Sequence, residues 1–390
     1  NLKMNEPKNH FTVGIVDDVT FLSLPVKEDI SVVPKGTFEA KFYGIGSDGT
    51  VGANKNSIKI IGDTTDKYAQ AYFAYDSKKS GGVTVSHLRF GDQPIRAPYL
   101  VNNPDFVACH VPAYLGKYDM LKGLKKGGTF LLNSMWDAEE TKKRLPDDMK
   151  KYMAENNIRF FIINATKLAQ EVGLGNRTNT IMQSAFFKVA NVIPYEKALE
   201  EMKKAVKKTF GLKGEDIVRM NIAAIERGGE VEEVPVPAEW KSIQPSVTEE
   251  NGDLPEFIRK VMIPMNRMKG DDLPVSAFLG REDGTFPAGT TAYEKRGVAT
   301  HVPRWIPENC IQCNQCSFVC PHACIRPFLF DEKEKAGLPE GTQVLKATGK
   351  ALDGLSYRIQ VSVLDCTGCG NCVDNCPAKT KALELVPLEE

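Results

Sequence analysis

Apolar stretches of strand length alternate with amphipathic stretches of helix length between residues 37 and 235. Runs rich in aromatic and β-branched residues predict strands at 38–44, 69–75, 82–90, 105–111, 129–134 and 159–164. Helix-period stretches at 137–155 and 195–210 follow some of these strands. The alternation predicts an α/β domain with a mostly parallel sheet and helices on both of its faces.

The pattern changes at both ends of this domain. Proline and glycine recur too often for long helices over 236–300, which we expect to be an irregular connecting segment. Residues 301–390 contain a duplicated cysteine motif and form a separate domain in this interpretation. Residues 1–36 include a strand-like run that begins close to Asn1, so we expect an internal piece of a longer polypeptide. A processed but complete protein is the alternative.

The charge balance excludes some classes of partner. Lysine plus arginine and aspartate plus glutamate each number 50, so no net field favours nucleic acid or an anionic membrane. The longest apolar runs have strand length, and no cleavable leader opens the chain. We therefore expect a cytoplasmic protein that binds neither nucleic acid nor membranes.

Eight of the ten cysteines lie in two runs, CIQCNQCSFVCP at 310–321 and CTGCGNCVDNCP at 366–377. Both runs have the spacing C-x2-C-x2-C-x3-C-P, which is typical of two [4Fe-4S] clusters in which the Cys-Pro cysteine ligates the cluster of the other motif. The competing interpretations are zinc, which favours C-x2-C pairs across longer gaps, and disulfides, which would be spread more evenly. The predicted ligands of the first cluster are Cys310, Cys313, Cys316 and Cys376. Those of the second cluster are Cys366, Cys369, Cys372 and Cys320.

The remaining cysteines, Cys109 and Cys324, are interpreted as small buried side chains. His87 and His110 lie in strand-like runs and are interpreted as core histidines, not as ligands.

A glycine-rich loop follows the first strand. Gly44, Gly46 and Gly49 match G-x-G-x-x-G before a potential helix start, which predicts a nucleotide or phosphate site, with a tight structural turn as the alternative. Asp76 ends the next strand, where NAD-binding proteins place an acidic residue. Lys78 and Lys79 follow and favour a phosphorylated ribose, as in coenzyme A or NADP, unless they are a solvated pair on a turn.

Several stretches together resemble the pyruvate:ferredoxin (flavodoxin) oxidoreductase family. They include GSDGTVGANKNSIKIIG, YFAYDSKKSGGVTVSHLRFGDQPIRAPYLV, GLGNRTNTIMQSAFFKV and FPAGTTAYEKRGVATHVPRWIPENCIQCNQCSFVCPHACIRP. The resemblance covers nearly the whole chain in the order of the family. It implies the end of an alpha-type domain at 1–36, a gamma-type domain at 37–235 and a 2[4Fe-4S] ferredoxin-like domain of α+β type at 301–390. This fused order is similar to the single-chain enzymes, which form homodimers.

The family connects pyruvate oxidation with electron transfer in anaerobic metabolism. The resemblance of this chain to the family implies oxidative decarboxylation of pyruvate to acetyl-CoA and CO2. Electrons would pass through three [4Fe-4S] clusters to ferredoxin or flavodoxin. Thiamine diphosphate, Mg²⁺ and the third cluster would belong to a C-terminal domain outside this chain. We therefore assign no catalytic residue here and expect the chain alone to be inactive. An electron-transfer-only module and an enzyme for another 2-oxoacid are the alternatives.

The same resemblance implies coenzyme A at the glycine loop. The loop would bind it through backbone amides and the Asn54 side chain, Lys79 would supply positive charge, and two further asparagines would act as amide partners. The implied residues are Thr50, Val51, Gly52, Ala53, Asn54, Lys79, Asn179 and Asn221. Cys324 replaces the alanine expected after CPHA, and we expect it to contact none of the assigned cluster ligands.

Overall fold

The computed structural model describes residues 1, 3–28, 30–46, 48–76, 81–245 and 253–388. The chain divides into two compact units, Asn1–Tyr293 and Glu294–Glu390. The finer domain boundaries at 36, 235 and 300 stay predictions. Within the described part of the chain, every helix is too short or too polar to cross a membrane.

The first unit is built on one seven-stranded sheet. Its strands are β1 Phe38–Ile45, β2 Tyr68–Tyr75, β3 Val83–Gly91, β4 Phe106–Cys109, β5 Thr129–Asn133, β6 Arg159–Ile163 and β7 Glu232–Val234. Their order across the sheet is β2-β3-β1-β4-β5-β6-β7. The strands β1, β4, β5 and β6 pair in parallel, whereas β3 and β7 are antiparallel to their neighbours. The predicted α/β class with a mostly parallel sheet is confirmed.

Helices of the first unit connect β1 with β2, β5 with β6 and β6 with β7, and one further helix follows β7. They are α1 Thr50–Thr64, α2 Ala138–Arg144, α3 Asp147–Glu155, α4 Ala165–Glu171, α5 Asn179–Ala190, α6 Tyr195–Phe210, α7 Glu215–Arg227 and α8 Ile263–Asn266. The predicted helix at 137–155 is divided into α2 and α3 at Leu145 and Pro146 because proline cannot donate an interior helical hydrogen bond.

The main core lies on one face of the sheet. Phe42, Phe106 and Phe186 pack there, with ring centroids 5.6 Å apart for Phe42–Phe106, 5.1 Å for Phe42–Phe186 and 5.2 Å for Phe106–Phe186. On the alternate positions of β5 and β6, Phe130 and Phe160 stack with centroids 5.5 Å apart. Because successive side chains of a strand point to opposite faces, this second pair lies on the other face of the sheet.

Two features of the sheet were not predicted. Strand β3 is inserted between β1 and β2 and is buried along its whole length, so its residue pattern carries no information on strand direction. Strand β7 has only three residues and lies at the edge, directly before the segment whose prolines indicated irregular structure.

The second unit contains two small antiparallel sheets. Its strands are β8 His301–Trp305, β9 Ile325–Phe330, β10 Leu345–Lys346, β11 Ser356–Val361 and β12 Leu383–Pro387, and its helices are α9 Gln315–Phe318, α10 Glu332–Ala336 and α11 Asn371–Asp374. One sheet has the order β10-β11-β9, and the other pairs β12 with β8. Ile325, Tyr357, Ile359 and Leu383 form the centre of its core. The cysteine motifs precede or include α9 and α11.

Candidate metal centre and ligand crevice

The two cysteine loops have the same backbone geometry at matching positions. Gln312 and Asn314 of the first loop have φ angles of 56° and 60°, and Gly368 and Gly370 of the second have 70° and 80°. Glycine adopts this left-handed conformation without cost, whereas other residues require support from their surroundings. One cysteine stands between the two left-handed residues of each loop, Cys313 in the first and Cys369 in the second.

Side-chain hydrogen bonds support the two non-glycine residues. The Gln312 side chain donates to the Lys346 carbonyl at 2.8 Å and accepts from the Thr348 amide at 2.9 Å. Asn314 accepts a hydrogen bond from the Tyr357 hydroxyl at 2.6 Å. The long insertion between the two motifs, which contains β10 and β11, therefore holds the first cysteine loop in place.

Five cysteines line one cavity in the second unit. Cys320 of the first motif lies there with Cys366, Cys369 and Cys372 of the second, and Cys324 is the fifth. The first four are the ligands predicted for the second cluster. Among the described residues, no three cysteine, histidine or carboxylate side chains converge as they would on a single ion. A cube presents a separate iron to each thiolate, so thiols from both motifs around one cavity suit its chemistry.

The four cysteines predicted to bind the first cluster also interact electrostatically. The pKa of Cys316 is raised to about 11, mainly by burial, and negative charges at Cys310, Cys313 and Cys376 contribute to this shift. Burial likewise raises the pKa of Cys366, with contributions from its second-set neighbours Cys369 and Cys320. The residues present fit two clusters with crossed ligands. The assignment of each cysteine stays a prediction.

The thiol protons have to leave when iron binds. Burial raises the pKa of Cys372 to about 12, and negative charge at Cys366 adds to this shift. Burial alone would raise the pKa of Cys320, but hydrogen bonds from the amides of His322, Cys324 and Ile325 lower it overall. Because iron binds thiolates, loading of the clusters releases protons from the more deeply buried sulfurs.

The expectation that Cys324 contacts no cluster ligand is wrong. Its side chain is buried, as expected, with 4% exposed. Its backbone amide donates to the Cys320 sulfur at 3.2 Å. The spacing of four residues after Cys320 was visible in the sequence, but the turn that brings the Cys324 amide to that sulfur was not. Cys109 is fully buried in β4.

The carboxyl ends of β1 and β4 lie side by side at a switch point of the sheet in the first unit. From β1 the chain continues toward β2 at one edge of the sheet, and from β4 it continues toward β5 on the other side. In parallel sheets, ligands bind at such a switch point, outside the carboxyl ends of the strands. The glycine loop follows β1 and His110 follows β4, so both lie at this position.

A buried hydrogen-bond network joins the two strand ends. Asp48 accepts bonds from the Ile45 amide at 2.9 Å, the Thr50 amide at 2.8 Å and the Thr50 hydroxyl at 2.7 Å. The Thr50 hydroxyl also lies 2.9 Å from Nδ1 of His110. Burial lowers the pKa of His110 to about 4, although the Asp48 carboxylate opposes this shift. A neutral His110 therefore fixes the first residue of α1.

Neither the role of Asp48 nor this contact of His110 was predicted from the sequence. Asp48 lies two residues before a helix in a glycine-rich turn, where aspartate commonly bonds to local amides. His110 follows a buried strand that the sequence pattern placed next to a parallel neighbour. These signals indicated a loop residue and a strand-end residue, but not that the two would meet.

The start of α1 leaves room for a ligand. Gly49 precedes the helix with a φ angle of 87°. A Cβ atom on exposed Gly52 would meet nothing within 4 Å, so a ligand can approach the backbone closely there. Two first-turn amides already have partners, because Thr50 donates to Asp48 and the Ala53 amide donates to the Gly49 carbonyl at 3.0 Å.

The remaining predicted coenzyme A residues lie at different places. Asn54 is 2% exposed, and its Nδ2 atom has no hydrogen-bond partner among the described residues. The Asn179 side chain lies at the loop, where a Cβ atom on Gly49 would approach its Cγ to 2.9 Å. Asn221 donates its amide to the Ile217 carbonyl of its own helix at 2.8 Å. Lys79 lies outside the described residues.

The position of Asp76 differs from that in NAD-binding proteins. In those proteins the acidic residue ends a strand next to the first one. Here β3 separates β2 from β1, so Asp76, which follows β2, is displaced by one strand from the glycine loop. The preference for a phosphorylated ribose, as in coenzyme A or NADP, stays a prediction.

Comparison with known proteins decides the family. A family profile described as pyruvate ferredoxin/flavodoxin oxidoreductase matches residues 39–231, one described as a domain of unknown function matches 244–299, and one described as a 4Fe-4S dicluster domain matches 309–382. The pyruvate:ferredoxin oxidoreductase of Moorella thermoacetica is 59% identical over 100% of this chain and 33% of its own length. The pyruvate-flavodoxin oxidoreductase of Enterobacter agglomerans is 56% identical over the same shares. The chain belongs to the pyruvate ferredoxin/flavodoxin oxidoreductase family.

This member of the pyruvate ferredoxin/flavodoxin oxidoreductase family spans about a third of the length of the curated relatives that it matches. A pyruvate oxidoreductase subunit of known structure from Thermotoga maritima is 25% identical, with a TM-score of 0.41, over 51% of this chain and 98% of that one. The fold assignment rests on the strand order described above.

Proposed function

We propose that this chain is the coenzyme A-binding and electron-transfer segment of an enzyme that oxidises pyruvate to acetyl-CoA and CO2. The names of the relatives and the 4Fe-4S family match support this reaction class. The observation that carries the proposal is the cavity lined by Cys320, Cys366, Cys369 and Cys372, because it combines ligands from both motifs as a two-cluster electron path requires.

The second unit would hold the clusters through its own residues. The turns at Gln312, Asn314, Gly368 and Gly370 position the thiols, and backbone amides donate to the sulfurs. Such hydrogen bonds stabilise thiolates and influence the reduction potential. A [4Fe-4S] cluster, when bound, accepts and releases one electron at a time. Cys372 is buried, whereas Cys313 and Cys369 are exposed, so contact with water differs among the sulfurs.

The first unit would bind coenzyme A at the crevice between β1 and β4. The free first-turn amides of α1 and the open position at Gly52 suit a pyrophosphate. The unpartnered Nδ2 atom of Asn54 and the side chain of Asn179 are available polar groups. Lys79 would add positive charge near the phosphorylated ribose. Asn221 stays a predicted partner, although its amide is bonded within its helix.

The proposal extends to partners and cofactors outside this chain. Thiamine diphosphate, Mg²⁺ and a third [4Fe-4S] cluster would be supplied by other parts of the full enzyme, which would be a cytoplasmic homodimer. Ferredoxin or flavodoxin would accept the electrons, as the names of the relatives indicate for those proteins. The choice of 2-oxoacid would depend on domains outside this chain. An enzyme that oxidises a 2-oxoacid other than pyruvate is therefore the alternative that changes this proposal least.

Coenzyme A binding separates this proposal from an electron-transfer-only module. In calorimetric titrations of the intact enzyme, Lys79→Ala should weaken binding of coenzyme A more than binding of its dephospho form. The expected difference is on the order of 1–2 kcal/mol, since only coenzyme A carries the ribose phosphate. Lys59→Ala, at an exposed position farther along α1, is the matched control. No binding by the unmodified enzyme would favour the electron-transfer-only module, and an equal effect on both ligands would remove Lys79 from the site.

A further inference from the structure

The first cysteine loop, residues 310–316, keeps two non-glycine residues in the left-handed backbone conformation. Gln312 and Asn314 are each bonded through their side chains to residues more than thirty positions later in the chain. The matching positions of the second loop are Gly368 and Gly370, which adopt this conformation without a side chain. The first loop therefore depends on distant side-chain contacts for a shape that glycine provides in the second loop.

The partners of both side chains belong to one segment, residues 345–357, which we call the loop clamp. Lys346 lies in β10, Thr348 follows that strand, and Tyr357 lies in β11. The two strands pair antiparallel, and β11 also pairs with β9. Tyr357 is 4% exposed and belongs to the core of the second unit. Because the loop clamp is anchored in a sheet and in a core, its contacts restrain the loop.

We propose that Gln312 and Tyr357 are positioning residues that hold the first cysteine loop on the loop clamp and thereby slow the loss of iron from the first cluster. The second cluster is independent of both residues. This inference rests on the proposed two-cluster function and deepens it by assigning a role to the insertion between the motifs. Neither residue is a cluster ligand.

Three hydrogen bonds carry the restraint. Gln312 donates to the Lys346 carbonyl at 2.8 Å and accepts from the Thr348 amide at 2.9 Å, so both polar atoms of its amide are held. The Tyr357 hydroxyl donates to Oδ1 of Asn314 at 2.6 Å. These bonds restrain the residues on either side of Cys313. Opening of the loop breaks them, so the open loop from which iron is lost becomes less populated.

The hydroxyl and the ring of Tyr357 have separate roles. Cys310 and Cys316 pack against the core that contains the Tyr357 ring, whereas the hydroxyl reaches Asn314. Tyr357→Phe keeps the ring in this core and removes only the donor. The variant therefore measures the hydrogen bond and leaves the apolar packing in place.

The effect should be specific to the first cluster. Gly368 stands at the position of the second loop that matches Gln312, and it has no side chain that a clamp could hold. A Cβ atom there would lie 3.0 Å from the His301 carbonyl oxygen, so this loop instead lies close to the backbone of β8. The two loops are therefore held by different elements, although their cysteine spacing is identical.

The test is the rate at which a ferrous-iron chelator removes iron from the anaerobically purified, cluster-loaded protein. Gln312→Ala loses two hydrogen bonds and should release iron from one cluster about tenfold faster, whereas Tyr357→Phe loses one and should do so about fivefold faster. Electron paramagnetic resonance of the reduced protein, recorded as iron is lost, should show the fading spectrum to be the one that Cys313→Ala lacks. Gln315→Ala changes an exposed glutamine next to the same loop and should release iron at the unmodified rate.

A double substitution tests the contact between Tyr357 and Asn314. Asn314→Gly permits the left-handed conformation but removes the acceptor, so adding Tyr357→Phe should cause no further acceleration. If Tyr357→Phe accelerates iron loss equally with asparagine or glycine at position 314, its hydroxyl acts elsewhere and its assignment as a positioning residue is refuted.

Iron and sulfide content before the chelator is added separates the remaining outcomes. If the unmodified protein lacks a second [4Fe-4S] cluster, the proposed function fails and this inference fails with it. If both clusters are present but Gln312→Ala and Tyr357→Phe lose iron at the unmodified rate, only the inference is overturned. Equal acceleration for both clusters would show a general loosening of the domain and would also overturn it. If Gln312→Ala does not retain its clusters, Tyr357→Phe decides, because selective acceleration supports the loop clamp and an unchanged rate refutes it.

Discussion

His87 is a buried histidine in the middle of β3, with 6% of its surface exposed. Its Nδ1 atom accepts a hydrogen bond from the Val101 amide at 3.2 Å, so the ring is held in a defined orientation. The pKa of His87 is lowered to about 4, mainly by burial, and the positive charges of Lys41 and Arg89 contribute to this shift. The interpretation of this residue as a core histidine agrees with these contacts.

We predict that His87 makes the first unit less stable in acid. Between pH 6.5 and pH 4 the unfolded chain binds a proton on this histidine while the folded chain does not, so the free energy of unfolding falls as pH falls. At pH 5.5 the loss should be about 1.4 kcal/mol relative to pH 7.5. His87→Asn keeps an acceptor for Val101 and should remove this part of the pH dependence. Urea unfolding, followed by tryptophan fluorescence, measures the difference.

His10→Asn serves as the control because His10 is exposed and has a φ angle of 53°, which asparagine tolerates. This variant should keep the full loss of stability between pH 7.5 and pH 5.5. An equal loss in the unmodified protein and in His87→Asn would show that His87 is not responsible.

At the same scale, the sequence predicts residue chemistry better than residue conformation. Gly368 and Gly370 were compatible with left-handed turns in the second loop. The same turns in the first loop were not predictable, because Gln312 and Asn314 occupy the matching positions. The hydrogen bonds that support Gln312 come from residues more than thirty positions away, as its contacts with Lys346 and Thr348 show. Contacts between residues so far apart in the sequence cannot be predicted from a short motif.

The element that connects fold and function in the first unit is the start of α1. Because Gly52 lies within this helix and a Cβ atom there would meet nothing within 4 Å, Gly52→Ala should increase stability by about 0.5–1 kcal/mol. The same methyl group would stand where the pyrophosphate of coenzyme A should approach the backbone. We therefore predict that affinity falls about tenfold, or ~1.4 kcal/mol, while stability rises. Thermal unfolding and calorimetric titration measure the two effects.

Gly62→Ala provides a matched control in the same helix. A Cβ atom on Gly62 would make an ordinary 3.9 Å contact with the Cβ atom of Ala69, so this variant should be stabilised similarly. It lies near the opposite end of α1 and should bind coenzyme A normally. Unchanged affinity in Gly52→Ala would exclude a close approach of the ligand at the helix start.

Element existence was predictable where the pattern was long or strongly apolar. The stretch 195–210 matches α6, and the six predicted strands correspond to β1–β6 with shifts of up to two residues at their ends. Strand direction was not predictable for β3, because a strand buried on both faces has the same composition in either direction. The short edge strand β7 gains its hydrogen bonds from β6 and not from its own residue preferences.

For the whole molecule, the sequence was most informative where ligand spacing is dictated by the bound group. The cube requires closely spaced thiols and one distant thiol, so the predicted grouping could be derived from the motif alone. The network of Asp48, Thr50 and His110 has no such spacing rule, because Thr50 and His110 are brought together by parallel pairing of β1 and β4. Contacts of this kind follow from topology, which a single sequence specifies only indirectly.

The crossed ligand set predicts that a cysteine of the first motif behaves as a member of the second cluster. Cys313→Ala and Cys369→Ala change matched, exposed cysteines of the two motifs, and each should remove about four of about eight irons by damaging a different cluster. Cys320→Ala should reproduce the loss caused by Cys369→Ala, because Cys320 lines the same cavity. Iron and sulfide analysis, together with electron paramagnetic resonance of the reduced protein, distinguishes the two residual spectra.

Cys376→Ala completes the comparison and should resemble Cys313→Ala, since negative charge at both Cys313 and Cys376 acts on Cys316. If Cys320→Ala instead leaves the spectrum left by Cys313→Ala, each motif binds its own cluster and the crossed assignment is wrong. Equal loss of both spectra in all four variants would mean that the domain folds only with both clusters, because the loops share the core around Tyr357 and Leu383. In that case, serine variants at the same four positions repeat the comparison with an oxygen ligand that can retain the cluster, and the identity of the perturbed spectrum decides the assignment.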